Sequence, residues 1–296
     1  MERFTLIETM EKQHYTIKEL CVTLEVSRSG YYAHGHKPEG LRRRQDADLK
    51  ACIDVAFRES RSAYGTRRLR VVLDRGGRSC GRRRIARLMA VSGLSALRKG
   101  RYRPRTTQSR HDHPIAPNRL LSAEGVPLVA AEQTWVADIT YLPTGEGWHY
   151  LAAEMNLGSR RIMGWKSASS MESALVEGAF QRAAFSSSNP PKLHHSDRGS
   201  QYAAKSFRSL LDSHNVIPSM SRRANCYDNA AMESFWSTLK TECFHAGPPD
   251  TRAQADRMIF DYIETFYNTR RLHSSLGYQS PADYEKSLIH QPITIN

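Results

Sequence analysis

The chain has 296 residues, 40% of them apolar, with 43 Lys and Arg against 30 Asp and Glu and five cysteines. That apolar content excludes a wholly disordered chain, and the length allows one catalytic-sized unit with smaller attachments. No apolar run reaches the ~18 to 20 residues of a membrane helix, and the start, Met1-Glu2-Arg3, leads into charged sequence. Cys21, Cys52, Cys80, Cys226 and Cys243 are scattered without a Cys-x-x-Cys pair, so the expectation is a cytoplasmic protein with reduced thiols, no zinc knuckle and no membrane partner.

The net charge of +13 is concentrated: Arg58 to Arg110 holds 17 Lys and Arg against 2 acids, and the rest of the chain 26 against 28. A solvated surface intersperses both signs. A one-sign stretch of this kind is the footprint of a polyphosphate partner, because each phosphate neutralised releases condensed counterions.

In chain order, Ile17, Leu20 and Leu24 keep helical spacing, Val26 follows in a short turn, and Ser27 can cap a second helix before Tyr31 and Tyr32. Residues 1–40 therefore read as a helix-turn-helix-like segment, although any two-helix packing unit shares the pattern. Pro38, Gly40 and Arg42-Arg43-Arg44 predict a linker. Residues 46–97 read as a basic helical DNA-binding domain whose three helices are divided at Gly65 and at Gly76-Gly77. Its third helix, near Arg82 to Val91, turns Ile85, Leu88 and Met89 inward and Arg82, Arg83, Arg84 and Arg87 largely outward, as on a recognition helix. Arg67 and Arg68 join them as candidate DNA contacts. Residues 98–120 are basic at first and lack apolar periodicity, which predicts a linker that follows a DNA backbone through Arg101 and Arg103.

Residues 121–246 change character. Thr134–Leu142, Trp148–Met155 and Arg161–Ser167 are three β-like runs separated by tight turns. A helix at Met171–Phe185, a strand at Lys192–His195, a helix at Gln201–His214, a strand at Val216–Met220 and a helix at Asn229–Cys243 follow. Three meandering strands and two in β-α-β connection describe an α/β unit with a mixed five-stranded sheet. Residues 247–296 form a helical extension.

Three acids fit chemistry better than packing. Asp138 lies inside the apolar run Trp135 to Tyr141, Asp197 follows the strand Leu193-His194-His195-Ser196, and Glu233 lies on the helix after Asp228. Carboxylates drawn into one cleft repel unless a cation holds them, and oxygen-only ligation favours Mg²⁺ or Mn²⁺ over zinc. Glu233, Ser237 and Lys240 share one helix face, beside the apolar stripe Met232, Phe235, Trp236 and Leu239. Lys240 there suits a phosphate contact, and Trp236 reads as core. His194 and His195 point to opposite faces of a strand, so at most one could join the acids, and a hydrogen-bonded strand end is the simpler reading. Arg270-Arg271 and His273 fit either a DNA contact or a helix cap.

Trp135-Val136-Ala137-Asp138-Ile139-Thr140-Tyr141, His195-Ser196-Asp197-Arg198-Gly199-Ser200-Gln201-Tyr202 and Asp228-Asn229-Ala230-Ala231-Met232-Glu233-Ser234-Phe235 resemble the three acidic blocks of DDE insertion-sequence transposases with a retroviral-integrase-like core. The closer resemblance is to OrfB products of elements that encode transposase in two overlapping frames. Tyr267-Asn268, Arg270-Arg271, His273, Leu276-Gly277-Tyr278 and Pro281 resemble that family's C-terminal block, and Ser27 to Tyr32 and Tyr64-Gly65-Thr66-Arg67-Arg68 its N-terminal helical blocks. The resemblance implies an RNase H-like core in which Asp138, Asp197 and Glu233 bind two Mg²⁺ ions, with Mn²⁺ able to substitute. It also implies divalent-metal-dependent cleavage at element ends and strand transfer, on end DNA and target DNA. The implied partners are an OrfA product or OrfA-OrfB fusion and further copies of the chain on DNA, at the nucleoid. Asn156 and Gly158 depart from the pattern, which more often has Asp and an aromatic residue there. The rival readings are an inactive end-binding protein or repressor and another RNase H-like nuclease, such as a junction resolvase.

Overall fold

In the computed structural model, which describes residues 2–11, 15–35, 41–97, 114–120, 126–187, 189–221 and 229–289, the chain begins with three short helices. They are α1 (Glu2–Glu11), α2 (Ile17–Thr23) and α3 (Arg28–Gly35). Thr16 starts α2 through a capping box: its Oγ1 accepts from the Glu19 N–H at 3.3 Å, and the Glu19 carboxylate accepts from the Thr16 N–H at 3.2 Å. Ser27 caps α3 as its position predicts, accepting from the Gly30 N–H at 3.0 Å. Ile7, Leu20, Cys21 and Tyr31 close a small core of their own. The unit therefore has one helix more than the helix-turn-helix pattern marks, because α1 supplies Phe4, Ile7 and Met10 to that core.

The second helical unit is α4 (Leu41–Glu59), α5 (Thr66–Arg75) and α6 (Arg82–Val91). Its start corrects the expected linker. Arg42, Arg43 and Arg44 are helical, since arginine is a good helix former and no breaker separates the triplet from Asp46. Pro38 and Gly40 lie outside the described residues, as do Arg101 and Arg103 of the basic linker. Gly65 and Gly76 cap α5 at its two ends, where the sequence divides the helices.

The sheet follows the expected strands within one or two residues. β1 (Thr134–Thr144), β2 (Gly147–Asn156) and β3 (Ile162–Ala168) form the antiparallel meander. After α7 (Ser173–Ser186), β4 (Leu193–Ser196) pairs parallel with β1, and after α8 (Ser200–Ala203) and α9 (Lys205–Ser213), β5 (Ile217–Met220) pairs parallel with β4. The order is β3-β2-β1-β4-β5. Alternation then gives each strand two faces. Trp135, Ala137 and Ala152 face a core built with α7, α8 and α9. Val136, Leu151, Ala153 and Met155 face a second core that takes in Met232, Phe235, Trp236 and Leu239 of α10 (Ala230–Cys243) and Ile53, Phe57, Leu69, Ile85 and Leu88 of α4 to α6.

The C-terminal stretch completes this second core. α11 (Arg252–Phe260) runs into a π-helical segment, Asp261–Tyr267, which buries Tyr262, Ile263, Phe266 and Tyr267 before α12 (Pro281–Ile289). Asn268 then pairs with the outer strand: its amide accepts from the Ile162 N–H at 2.9 Å and donates to the Ile162 carbonyl at 3.0 Å. Arg271 donates twice to Glu242 of α10, at 2.6 and 2.7 Å, and the Tyr262 hydroxyl donates to the same carboxylate at 2.8 Å. Burial opposes the Arg271 charge, but the Glu242 hydrogen bonds and charge outweigh it and raise its pKa above the ordinary value. Tyr64, ahead of α5, reaches the same stretch; its hydroxyl donates to the Arg270 carbonyl at 3.1 Å and accepts from the Leu272 N–H at 2.8 Å.

Candidate active site

Asp138 sits half-buried in the middle of β1, on the face that packs against α10. The indole N–H of Trp236 donates to its Oδ2 at 3.0 Å, and the Ile139 backbone N–H also serves it. Burial first, then the charge of Asp197 and more weakly that of Glu233, push its pKa up to about 8 against those two donors. Asp197 follows the end of β4, where its Oδ1 accepts from the Gly199 N–H at 2.9 Å. Glu233 lies exposed in the first turn of α10. That helix is seated by Asn229, whose amide donates to the Ala137 carbonyl at 3.2 Å rather than capping the helix.

The structure thus brings Asp197 and Glu233 within electrostatic reach of Asp138. Among the described residues, no three His, Cys, Asp or Glu side chains stand close enough together to enclose a metal ion. Asp138, Asp197 and Glu233 offer carboxylate oxygens alone, the donor type that suits a hard divalent cation. Lys240, two turns beyond Glu233, is half-buried; burial lowers its pKa while the Asp138 charge raises it.

Trp236 is core, as its stripe predicts, but it also holds Asp138. No local pattern shows this, because the two residues are 98 positions apart. His194 and His195 are hydrogen-bonded on opposite faces. His194 pairs with the buried Glu154 at 2.9 Å, and His195 contacts Ser219 and Ser221 at 2.8 and 3.0 Å. Asn156 settles in the β2–β3 turn. Its Oδ1 accepts from the Gly158 and Ser159 N–H groups, and its Nδ2 donates to the Glu132 carbonyl at 2.8 Å, a donation that Asp cannot make. At Gly158 a Cβ would stand 2.9 Å from the Glu132 carboxylate, so an aromatic residue there would displace that side chain.

The arginines divide into two groups. Arg67, Arg82 and Arg83 are exposed on α5 and α6. Arg84 and Arg87 both hold Asp46, the former at 2.7 Å. Arg68 turns inward: its Nε donates to the Leu272 carbonyl at 2.9 Å and its guanidinium lies 5.7 Å from the Tyr64 ring centre. In this structure Arg68 docks α5 on the C-terminal block. That block also settles the open reading of Arg271 and His273. Arg271 is the buried partner of Glu242, and His273 packs edge-on to Tyr267 at 4.9 Å.

Three family models match the chain. An HTH-like domain matches residues 43–102, and two integrase core domain models match residues 129–226 and 214–281. An uncharacterized 31 kDa protein of insertion element IS600 from Shigella sonnei is 42% identical over 269 residues, covering 90% of this chain and 97% of that protein. The transposase for insertion sequence element IS904 of Lactococcus lactis is 40% identical over 239 residues, 80% of this chain and 93% of that protein. Transposase InsF for insertion sequence IS3A of Escherichia coli is 33% identical over 286 residues, 96% and 98%. The chain belongs to the insertion-sequence transposase family. The transposase has an RNase H-like integrase core of mixed five-stranded topology preceded by helical, HTH-like segments. Among its described residues, no helix is long and apolar enough to cross a membrane.

Proposed function

We propose that the transposase cuts phosphodiester bonds at the ends of its element and transfers the freed strand ends, with Asp138, Asp197 and Glu233 as ligands of two Mg²⁺ ions for which Mn²⁺ can substitute. The observation that carries this reading is the half-buried Asp138, which stands beside a second acid, takes N–H donors from Trp236 and Ile139, and has its pKa pushed up to about 8. When bound, a pair of such ions supplies Lewis acidity at the phosphate and activates the attacking hydroxyl. Trp236 and Ile139 orient Asp138, Gly199 orients Asp197, and Asn229 fixes the start of the helix that bears Glu233. In each step one P–O bond forms as another breaks: water attacks first and leaves a 3′-hydroxyl, which then attacks a second phosphodiester. Lys240 is the phosphate contact beside the acids.

Arg67, Arg82 and Arg83, with Arg101 and Arg103 of the linker, neutralise phosphates of the element end, and Arg84 and Arg87 add to that field. Work is divided among a helix-turn-helix-like segment (1–40), a basic helical unit (46–97), a basic linker (98–120), the core (121–246) and a C-terminal extension (247–296). Synapsis of two ends calls for further copies of the chain and for an OrfA product or OrfA-OrfB fusion, with target DNA as second substrate. The deciding experiment uses labelled element-end duplex and Mg²⁺. Asp138→Asn, Asp197→Asn and Glu233→Gln each lower cleavage by at least about 1000-fold while end binding is kept, and calorimetry shows weaker Mn²⁺ uptake. Undiminished cleavage by any of the three overturns the assignment.

A further inference from the structure

β4 ends on the residue before Asp197, and among the described residues neither neighbouring strand pairs with Asp197 itself. On the β1 side the last pair is Val136 with His195, and on the β5 side it is Ser196 with Met220. By alternation His195 stands on the face of Val136, which packs against α10, and Asp197 follows it two residues on. The first residue past β5 then takes over from the ladder. The Ser221 N–H donates to the Ser196 carbonyl at 2.9 Å, and the Ser221 carbonyl accepts from Arg198 Nε at 2.7 Å. One serine thus grips the chain on both sides of Asp197.

The Ser221 hydroxyl is itself set by His195. It donates to the Ser196 carbonyl at 3.3 Å, and His195 Nε2 lies 3.0 Å from Ser221 Oγ. With that hydroxyl proton engaged, Nε2 is the donor. In a neutral ring with its proton on Nε2, Nδ1 accepts from the Ser219 hydroxyl at 2.8 Å, and the Ser219 oxygen accepts from the Arg119 N–H at 2.8 Å. His195, Ser219 and Ser221 are all buried, where a satisfied polar network fixes orientation. The path is directional: it runs from the segment ahead of the core, through β5 and His195, to the peptide group that enters Asp197.

We propose that His195 and Ser221 are positioning residues for the reaction: the link from Nε2–H to Oγ holds Asp197 by its backbone, so that its carboxylate keeps one place at the reaction centre. The inference rests on the reading of Asp197 as part of that centre. Asp138 takes its backbone position from the β1–β2 ladder, and Glu233 takes its own from α10. Asp197 stands outside any helix or strand, so regular structure does not place it. A displacement of about 1 Å at a reacting group can cost on the order of 100-fold in rate, and this clamp is what opposes one at Asp197.

The test compares amide variants that restore one ring nitrogen at a time. The amide of His195→Gln reaches the position of Nε2 and can donate to Ser221, whereas that of His195→Asn reaches only the position of Nδ1. On element-end duplex with Mg²⁺, His195→Asn and Ser221→Ala are each expected to lower kcat by about 10- to 100-fold with KM unchanged, and to weaken Mn²⁺ uptake in calorimetry. His195→Gln keeps most of both, and the variant carrying His195→Asn with Ser221→Ala loses no more than either change alone. The variants stay folded, because Ser221 retains the Ser196 carbonyl and Ser219 the Arg119 N–H. Equal activity of His195→Gln and His195→Asn overturns the proposal, as do additive losses in the double variant or unfolding midpoints that fall in step with kcat. Asp197→Asn separates the clamp from the reading beneath it. Undiminished cleavage by Asp197→Asn overturns the acid assignment, whereas an inactive Asp197→Asn beside equal His195 variants overturns the clamp alone.

Discussion

The two helical units that precede the sheet are each three helices, yet they lean on different things. α1 to α3 close on Ile7, Leu20, Cys21 and Tyr31 and form a core of their own. α4 to α6 put Ile53, Phe57, Leu69, Ile85 and Leu88 into the cluster that holds one face of the sheet, α10 and the π-helical segment. At about 1.5 to 3 kcal/mol for each fully buried large apolar side chain, the second unit is inseparable from the catalytic body. The first is an attachment. Because close-packed interiors transmit displacement, any shift of α5 or α6 has to be absorbed by the side chains that seat α10 and hence Glu233.

The largest test of this contrast is Arg271→Ala. It strands the buried Glu242 carboxylate with Tyr262 as its remaining hydrogen-bond donor among the described residues, and should cost about 3 to 5 kcal/mol in urea denaturation. A loss under about 1 kcal/mol would mean that this pair does not hold the C-terminal stretch on which α5 of the second unit docks. Next comes His273. Burial first, and then Arg271, Arg68 and Arg160, lower its pKa to about 3, whereas the unfolded chain titrates near 6.5. Between those values the unfolded state binds the extra proton, so this stability is full above about pH 6.5 and is lost as pH falls toward 3. Relative to pH 7, His273→Phe should remove on the order of 2 kcal/mol of the acid sensitivity seen at pH 4.5 in urea midpoints.

Tyr64→Phe is a smaller perturbation. It deletes the hydroxyl that serves both the Arg270 carbonyl and the Leu272 N–H, and should cost about 1 to 3 kcal/mol, read from the same midpoints. Smallest of all is removal of residues 1–35, which should move the unfolding midpoint of the remainder by less than about 0.5 kcal/mol. A larger shift would mean that the first unit also leans on the body.

Much of the sheet could be read directly, because short β-like runs such as Trp135 to Tyr141, bounded by turn residues, are local information. The positions of the three acids could be read for the same reason, each standing against an apolar or helical pattern. What could not be read depends on partners far away in the chain. Arg68 looks like its neighbour Arg67 until Leu272, 204 positions on, offers it a carbonyl. Trp236 looks like any stripe residue until its N–H meets Asp138, and the second open helix face at α4 to α6 carries no mark that a sheet will cover it. The π-helical segment was likewise hidden, since its burial of Tyr262, Ile263, Phe266 and Tyr267 differs from an ordinary helix only in winding.

The pairing of Asn268 with Ile162 has a consequence for the outer rim of the sheet. An uncovered edge strand is a template on which a second chain can crystallise its own backbone. Here one side-chain amide occupies both the donor and the acceptor of Ile162, the first residue of that edge, in the manner of a single rung of a ladder that goes no further. At Ile162 this rim is thereby closed to pairing with a strand of another chain.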